Sequence, residues 1–580
     1  MQEFVVDIET DGLDPTLIHV AVVRNVETNS VHVFTDSDHN DFAGLVAGHR
    51  VILHNGIAFD LPALEKLWGY KHTGEVVDTL VLSRLFNPSR EGGHSLRAWG
   101  ETLGFPKGVF NDWSKLTTEM VEYCKQDTAV TAKVYEVLRK EGIGFADTAI
   151  DLEHRVAAII AEQQKNGWLV DERAAYILLA ELQQKREEIE QEVHKTFRPI
   201  AKKDKEIELV YKKDGTLNSR NLRWLVDWND VVVGNFTRIQ WQEFNLGSRK
   251  QIAERLINLG WKPQEFTDKG SPIVDEKQLE NVEGIPEVTL IKQFLMLQKR
   301  EAMLSSWIDK IEEDGRVHGQ MNTIGTPTGR ATHSNPNFGQ IISNRHEWGP
   351  EMRKVWTAPE GSVLVDADLA SLEQRMLAHY MAKYDNGDYS NVVLTKDIHS
   401  YNQEMAGLET RDQAKTLGFC LIYGGGDDKV GKIVGGGARE GKKLKERYFK
   451  ELPAFGSLYN AVRSAASRGY LKGLDGRKIF IRSEHSALNY LLQSAGAVVS
   501  KVAIVEYQRI LKEEHGMIHG KDYKQVAWIH DAITCEVPEE KSDVVGNALV
   551  QAFKNTTDIL NLRCPQDGKY LIGKTFADVH

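Results

Sequence analysis

What most constrains this chain is a pair of acidic sets whose members lie far apart in sequence. Asp7 and Glu9 stand in VVDIET, Asp60 in HNGIAFD and Asp127 in YCKQDT, while Asp368 stands in DLASLEQR and Asp531 in WIHDAI. Carboxylates repel, so a fold that gathers either set needs bound cations to offset the repulsion. Asp7 and Glu9 alternate along an apolar strand and project from one of its faces. Tyr123 precedes Asp127 by one helical turn and can orient a water. Hard oxygen ligands of this kind suit Mg²⁺ or Mn²⁺, two per site, and paired divalent cations serve in-line displacement at phosphorus. Any one of these acids alone reads as surface decoration. The ordered combination of D-x-E, N-x-x-x-F-D and Y-x-x-x-D is specific. Asp78, in VVDTLVLSRLF, is expected to cap a helix or accept hydrogen bonds rather than join the set.

Between Asp368 and Asp531 lies RDQAKTLGFCLIYGG, with Arg411, Lys415, Phe419 and Tyr423 at every fourth position. Four residues advance about 400° on a helix, so the stripe drifts only about 40° per step. Two cations one turn apart can hold a polyphosphate, Arg as a fork and Lys as a point charge. The aromatic pair beyond them can stack on a base or wall off a sugar. In isolation the stripe reads equally as a packing face. The spacing predicts that Gly424-Gly425-Gly426 ends the helix, that Asp368 sits at a strand end, and that His530-Asp531 forms a hairpin tip.

At 580 residues the chain exceeds one core. Residues 1–145 alternate apolar strands with helical patterns, an α/β arrangement. Long amphipathic helices dominate 150–314, interrupted by an irregular insert at 196–246 that contains Trp224, Trp228 and Trp241. From 315 to the end the pattern is α+β. Net charge is −11, which bears on solubility more than on local binding. Cations concentrate at Lys442, Lys443, Lys445, Arg447 and Lys450, and again along IAKKDKEIELVYKK at 200–213; each run taken alone reads as a solvated helix face. Four scattered cysteines form no CxxC pair, which argues for a reducing compartment and against a zinc site. No basic leader precedes FVVDI, and no apolar run of about 18 residues is apparent, so neither a signal peptide nor a membrane span is expected. A cytoplasmic protein is expected, in the host cytoplasm if phage-encoded.

The N-terminal set resembles the DEDDy subclass of 3′→5′ proofreading exonucleases. The three later segments resemble motifs A, B and C of family A DNA polymerases, in the correct order, and DTLVLSRL, TGRAT, KGLDGRK and LQSAGA match as well. The likeness is strongest to the replicative members carried by T-odd bacteriophages. It implies a ribonuclease H-like exonuclease domain at 1–145 followed by a right-hand polymerase. The thumb would span 150–314, the palm 315–400 and 476–580, and the fingers 401–475. By the resemblance, Asp7, Glu9, Asp60 and Asp127 bind metals, Asn55 and Phe59 support the primer end, and Tyr123 serves the nucleophile. Asp368 and Asp531, with the backbone of Leu369, hold the polymerase metals. His399, Arg411 and Lys415 contact the triphosphate, with Lys415 counted among the catalytic groups. Phe419 approaches the sugar, Tyr423 stacks at the templating position, and Glu373 excludes a 2′-hydroxyl. Arg330, Gln340, Asn489 and Gln493 read the minor groove. Partners implied are primer–template DNA, deoxynucleoside triphosphates and a replisome helicase–primase.

The chain departs from the family pattern in three places. The third carboxylate usual after His-Asp is Ala532 here, and two aspartates are expected to suffice. Phe419 stands where the phage relatives have Tyr, and the family pattern ties Phe to rejection of dideoxynucleotides. The thumb insert differs from the one that recruits thioredoxin, so a thioredoxin-type processivity factor is not expected. Alternatives that keep part of the reading are a gap-filling repair polymerase and a nuclease whose polymerase half is an inactive scaffold.

Overall fold

A computed structural model of the chain describes residues 1–219, 234–280 and 282–580. Trp224 and Trp228 of the insert lie outside the described residues. The chain divides into two compact units, Met1–Asp171 with Lys310–His580, and Glu172–Asp309.

The first unit opens with a five-stranded sheet. Its central strand β1 (Glu3–Thr10) runs antiparallel to β2 (Ile18–Asn25), which pairs with β3 (Val31–Phe34) at one edge. On the other side β1 is parallel to β4 (Arg50–Leu53), and β4 to β5 (Val76–Asp78). The helix α1 (Asp60–Trp68) follows β4, and α2 (Thr118–Glu141) packs across β1 and β2. Strand alternation sends Val6 and Ile8 into a core with Phe42 and Leu64, and Val5 into one with Val130 and Val134 of α2. Asp7 and Glu9 share the Val5 face, so the expected co-facial pair meets the helix that carries Asp127.

Helix α3 (Asp147–Asn166) belongs to this unit, although its sequence pattern groups it with the helices that follow. Glu153, fully buried, receives Lys501 Nζ at 2.6 Å and Arg477 Nη2 at 2.7 Å, and Arg477 also pairs with Asp475 at 2.6 Å. Such a network is costly to break, because it would strand buried charge. It ties α3 to the C-terminal half of the chain.

The second unit therefore starts at Glu172. In it α4 (Glu172–Thr196) packs against α5 (Glu287–Ile308). The insert between them contributes an antiparallel pair, β6 (Ile200–Ile207) and β7 (Phe236–Gln242). The basic stretch 200–207 is thus a strand and not a helix face. Its partner is rich in β-formers (Phe236, Thr237, Ile239, Trp241), and cross-strand pairing overrides the helical reading. Trp241 is 66% exposed.

The remainder of the first unit is built on a four-stranded antiparallel sheet. Its strand β8 (Ser362–Leu369) leads into α6 (Leu372–Asp385), and α7 (Ile398–Ala406), α8 (Arg411–Ile422) and α9 (Ala438–Glu451) follow. Helix α10 (Ala487–His515) precedes the hairpin β9 (Lys524–Ile529) and β10 (Ala532–Pro538), and β11 (Gly568–Gly573) completes the order β9-β10-β8-β11. The 441–450 run does lie on a largely solvated helix: α9 buries Leu444 and Tyr448 and exposes Lys442, Lys443 and Lys450, while Lys445 pairs with Asp427.

Helix α10 corrects one expectation. The span Glu484–His515 is long and apolar enough to cross a membrane by length and composition, although no such run was expected. Alanine, glycine and serine interleaved with valine and leucine hide this apolar character from a search for unbroken apolar runs. The most apolar window of this helix is 78% buried inside the protein.

Two candidate active sites

The first acidic set closes as its spacing predicts. Asp7 and Glu9 project from β1, Asp60 is the first residue of α1, and Asp127 lies on α2. Asp78 has the structural role expected of it. It caps the helix Thr79–Phe86 through Leu80 N–H (2.9 Å) and accepts from the N–H groups of Asn55 (2.9 Å) and Ile57 (3.1 Å). Those bonds pin the loop that presents Asn55 and Phe59; Asn55 is held at φ 68°. A cavity of about 930 Å³ opens beside this set and is lined by Asn55, Tyr123, Arg84 and Arg97 among others.

Burial pushes the carboxyls of Asp7, Glu9, Asp60 and Asp127 upward, and mutual repulsion raises Asp7, Glu9 and Asp60 further. Ligand atoms of Asp7, Glu9 and Cys124 lie within 4.8 Å of one another. The Cys124 thiol donates to Asp7 Oδ2 at 3.3 Å, and burial holds that thiol well above its ordinary pKa. Two residues here were not singled out from the sequence. Cys124 sits under Asp7, and Lys107 places its ammonium 2.5 Å from Asp127 Oδ2 and 4.9 Å above the Tyr123 ring. The other oxygen of Asp127 is buried without a partner. Buried hard oxygen donors, one of them with an open oxygen, fit divalent cations such as Mg²⁺.

The second set also closes. In β8, Asp368 pairs across the sheet with Ala532 of β10 and Lys569 of β11. Asp531 occupies the tip of the β9–β10 hairpin next to His530, whose φ is 59°. The Leu369 N–H donates to the Asp531 carbonyl at 3.4 Å, which brings the two acidic segments side by side. Burial, then Asp531 and Asp366, push Asp368 up to about 6. Burial likewise raises Asp531 and Glu373. Ala532 is buried beside Asp368, so no third carboxylate joins the two at that position. The pair is again a hard oxygen set fitted to a divalent cation.

A cavity of about 330 Å³ gathers Arg330, Gln340, Glu373, His530 and Asp531. Glu373, at the start of α6, has one buried oxygen without a partner. Asn489 and Gln493 lie one turn apart on α10, where Gln493 accepts from Thr328 Oγ1 at 3.5 Å. The stripe on α8 lines a separate groove formed by Lys415, Phe419 and Tyr423. Thr410 caps α8, and the helix ends at Ile422 before the glycine run. The Phe419 ring stacks near Tyr423 at 6.3 Å and lies 6.5 Å from His399. Arg411 turns aside from the groove into a two-point ion pair with Asp397, at 2.7 and 2.9 Å. Asp397 also caps α7, which carries His399. No spacing in the sequence marks that pairing.

Comparison with known proteins agrees with this geometry. A family model described as DNA polymerase family A matches residues 230–578. The DNA-directed DNA polymerase of Escherichia phage T7 is 33% identical, covering 99% of both chains, and that of Enterobacteria phage T3 is 32% identical over the same shares. DNA polymerase I of Aquifex aeolicus is 25% identical across 98% of this chain. In fold, the chain is similar to the POL domain of Pol1 from M. smegmatis, solved with DNA primer-template and dNTP, with a TM-score of 0.77 at 18% identity over 99% of this chain and 95% of that one. A fold that sets Asp368 beside Asp531, taken with full-length likeness to the phage enzymes, assigns the chain to DNA polymerase family A.

Proposed function

We propose that this DNA-directed DNA polymerase extends primers at Asp368 and Asp531 and excises mispaired 3′ ends at Asp7, Glu9, Asp60 and Asp127. The observation that carries the reading is the closure of two remote acidic segments beside the cavity that holds Arg330, Gln340 and Glu373. Mg²⁺, with Mn²⁺ as a substitute, would supply charge at each site to offset the reacting oxygens. Asp368, Asp531 and the Leu369 backbone would hold the cations of the primer-extending site. Lys415, Arg411 and His399 grip the triphosphate, and Arg411 exchanges Asp397 for phosphate as it does so. Tyr423 stacks at the templating position. Glu373 excludes a 2′-hydroxyl and so selects deoxynucleotides. Arg330, Gln340, Asn489 and Gln493 contact the minor groove of the new duplex, where acceptors are shared by all correct pairs. At the excision site Asn55 and Phe59 seat the frayed primer end, and Tyr123 orients the attacking water.

In this reading residues 1–145 form the exonuclease domain, the 172–309 unit the thumb, 401–475 the fingers, and the flanking sheet the palm. Primer–template DNA and deoxynucleoside triphosphates are its substrates, and a helicase–primase is a partner expected of replicative relatives. The test is a primer with a mismatched 3′ base. Without nucleotides it should shorten stepwise. With nucleotides the full-length product should carry the template-directed base at the former mismatch. Extension with the mismatch retained would exclude proofreading.

Phe419 lies on the groove face of α8 with no hydroxyl to offer a sugar. A dideoxynucleotide lacks the 3′-hydroxyl, and Phe419 cannot replace its contacts, so the protein should discriminate against chain terminators. Phe419→Tyr should raise their use relative to deoxynucleotides by about 10- to 100-fold, the worth of one hydrogen bond to a charged group such as the bound triphosphate. A competition assay in a single primer extension measures this ratio; an unchanged ratio would refute the role of Phe419.

A further inference from the structure

We propose that Lys107 is a catalytic residue of the excision site, its ammonium contacting a non-bridging oxygen of the scissile phosphodiester. This rests on the proofreading reading above. The loop that carries Lys107 is anchored on both sides. Gln126 donates to the Pro106 carbonyl at 2.9 Å, and a Cβ added at Gly100 would come within 2.9 Å of the Lys107 backbone nitrogen. At Gly108 an added Cβ would come within 3.0 Å of the Tyr123 ring, so glycine lets the loop lie across that ring. The lysine is thus delivered to the acids by a packed backbone and not by a freely swinging surface chain.

Its surroundings are those of a working group. The Lys107 side chain is 23% exposed and that of Asp127 only 2%. The ammonium lies over Tyr123 and lines the cavity through which a 3′ end would enter, together with Asn55. Asp127 gives it one oxygen and leaves the other, buried, without a partner. Charge arithmetic assigns it a second place in the loaded site. Four carboxylates balance two divalent cations, which leaves the phosphodiester and the attacking hydroxide uncompensated. Arg84 and Arg97 also line the cavity, but Lys107 is the cation in contact with Asp127 and so is positioned to meet them.

The step balances as hydrolysis. Water loses a proton to solvent, its oxygen forms a bond to phosphorus, and the bond from phosphorus to the 3′-oxygen of the shortened strand breaks. That oxygen keeps the electron pair and takes a proton from solvent. Negative charge grows on the non-bridging oxygens as the bonds exchange, and an ammonium aimed at one of them stabilises it. In the free protein the same ammonium offsets Asp127.

The experiment compares Lys107→Met and Lys107→Arg with the unmodified protein in single-turnover excision of a single-stranded oligonucleotide at saturating Mg²⁺. Lys107→Met should slow the chemical step about 100-fold or more, as loss of one oriented donor does elsewhere, and Lys107→Arg should recover much of it. One phosphorothioate diastereomer at the terminal linkage should penalise the unmodified protein more than Lys107→Met. In EDTA, Lys107→Met should melt below the unmodified protein, and Mg²⁺ should close the gap. Primer extension reports that the variants fold. Excision by Lys107→Met at the unmodified rate, or a defect that excess Mg²⁺ repairs, would overturn the proposal and leave Lys107 as charge balance for Asp127. Absence of excision in the unmodified protein would instead overturn the proofreading reading, and this inference with it.

Discussion

Asp531→Ala is expected to lose primer extension by about 10³-fold or more while excision of a single-stranded 3′ end continues. The magnitude follows from the several kcal/mol that charge stabilisation at a metal-assisted phosphoryl transfer supplies, at about 1.4 kcal/mol per tenfold in rate. The selectivity follows from the fold. Asp531 belongs to the β9–β10 hairpin, whereas the carboxylates proposed for excision stand on β1, α1 and α2. Stability should not fall. The Asp531 carboxyl is raised by burial, so the folded chain holds it as an anion only at a cost, and alanine removes that cost. The hairpin is held against β8 by the β8–β10 ladder and by the Asp531 backbone carbonyl accepting from Leu369 N–H, and alanine keeps both. His530, at φ 59°, is unchanged. The measurement is primer extension and excision on matched substrates, with a melting curve for each protein. Extension at an ordinary rate would remove Asp531 from the catalytic pair. Simultaneous loss of excision would mean that the hairpin supports more than its own site.

Both acidic sets were legible because strand alternation and helical spacing say where a carboxylate points. VVDIET and SVLVDADL announce themselves as strands, and WIHDAI as a turn between apolar runs. Resemblance to the family motifs adds expected roles that spacing alone leaves open, such as those proposed for Glu373 and Gln340. What the sequence hid is what depends on packing between remote elements. Lys107 is a single cation in FPKGVF, and only the fold of its loop over Tyr123 brings it to Asp127. The stripe on α8 was readable, yet the partner of Arg411 in the free protein is Asp397, supplied by the cap of another helix. Helix α3 reads like its successors by amphipathicity, and it is the packing of Leu152, Val156 and Ile160 in the first unit's core, with Glu153 buried against Lys501 and Arg477, that assigns it there. The basic run at 200–207 reads as a helix face until its pairing with 236–242 is known.

Glu9→Gln separates the excision site from polymerisation and tests the electrostatics of the metal-free fold at once. Excision should fall about 10³-fold or more, since a ligand is lost where charge stabilisation amounts to several kcal/mol, and primer extension should persist. Glu9 is raised far above the carboxylate range by burial, then by Asp7 and Asp127, so in the metal-free protein it holds its proton at neutral pH. Glutamine copies that neutral form. The sign of the pH effect follows from proton binding. A carboxyl whose folded pKa exceeds its unfolded one contributes stability fully below the unfolded pKa, and loses it as pH rises through the folded value. Wild-type stability in EDTA should therefore decline as pH is raised through the neutral and alkaline range. Glu9→Gln should decline less, because one proton-linked group is gone. Adding Mg²⁺ should reverse the order at alkaline pH, since a ligand that binds only the folded state stabilises it, and the variant binds that ligand more weakly at this site. Melting temperatures at two pH values, each with EDTA and with Mg²⁺, give four comparisons. Parallel pH profiles for the two proteins in EDTA would show that Glu9 keeps an ordinary carboxylate pKa, and that the first acidic set is less tightly buried than its geometry indicates.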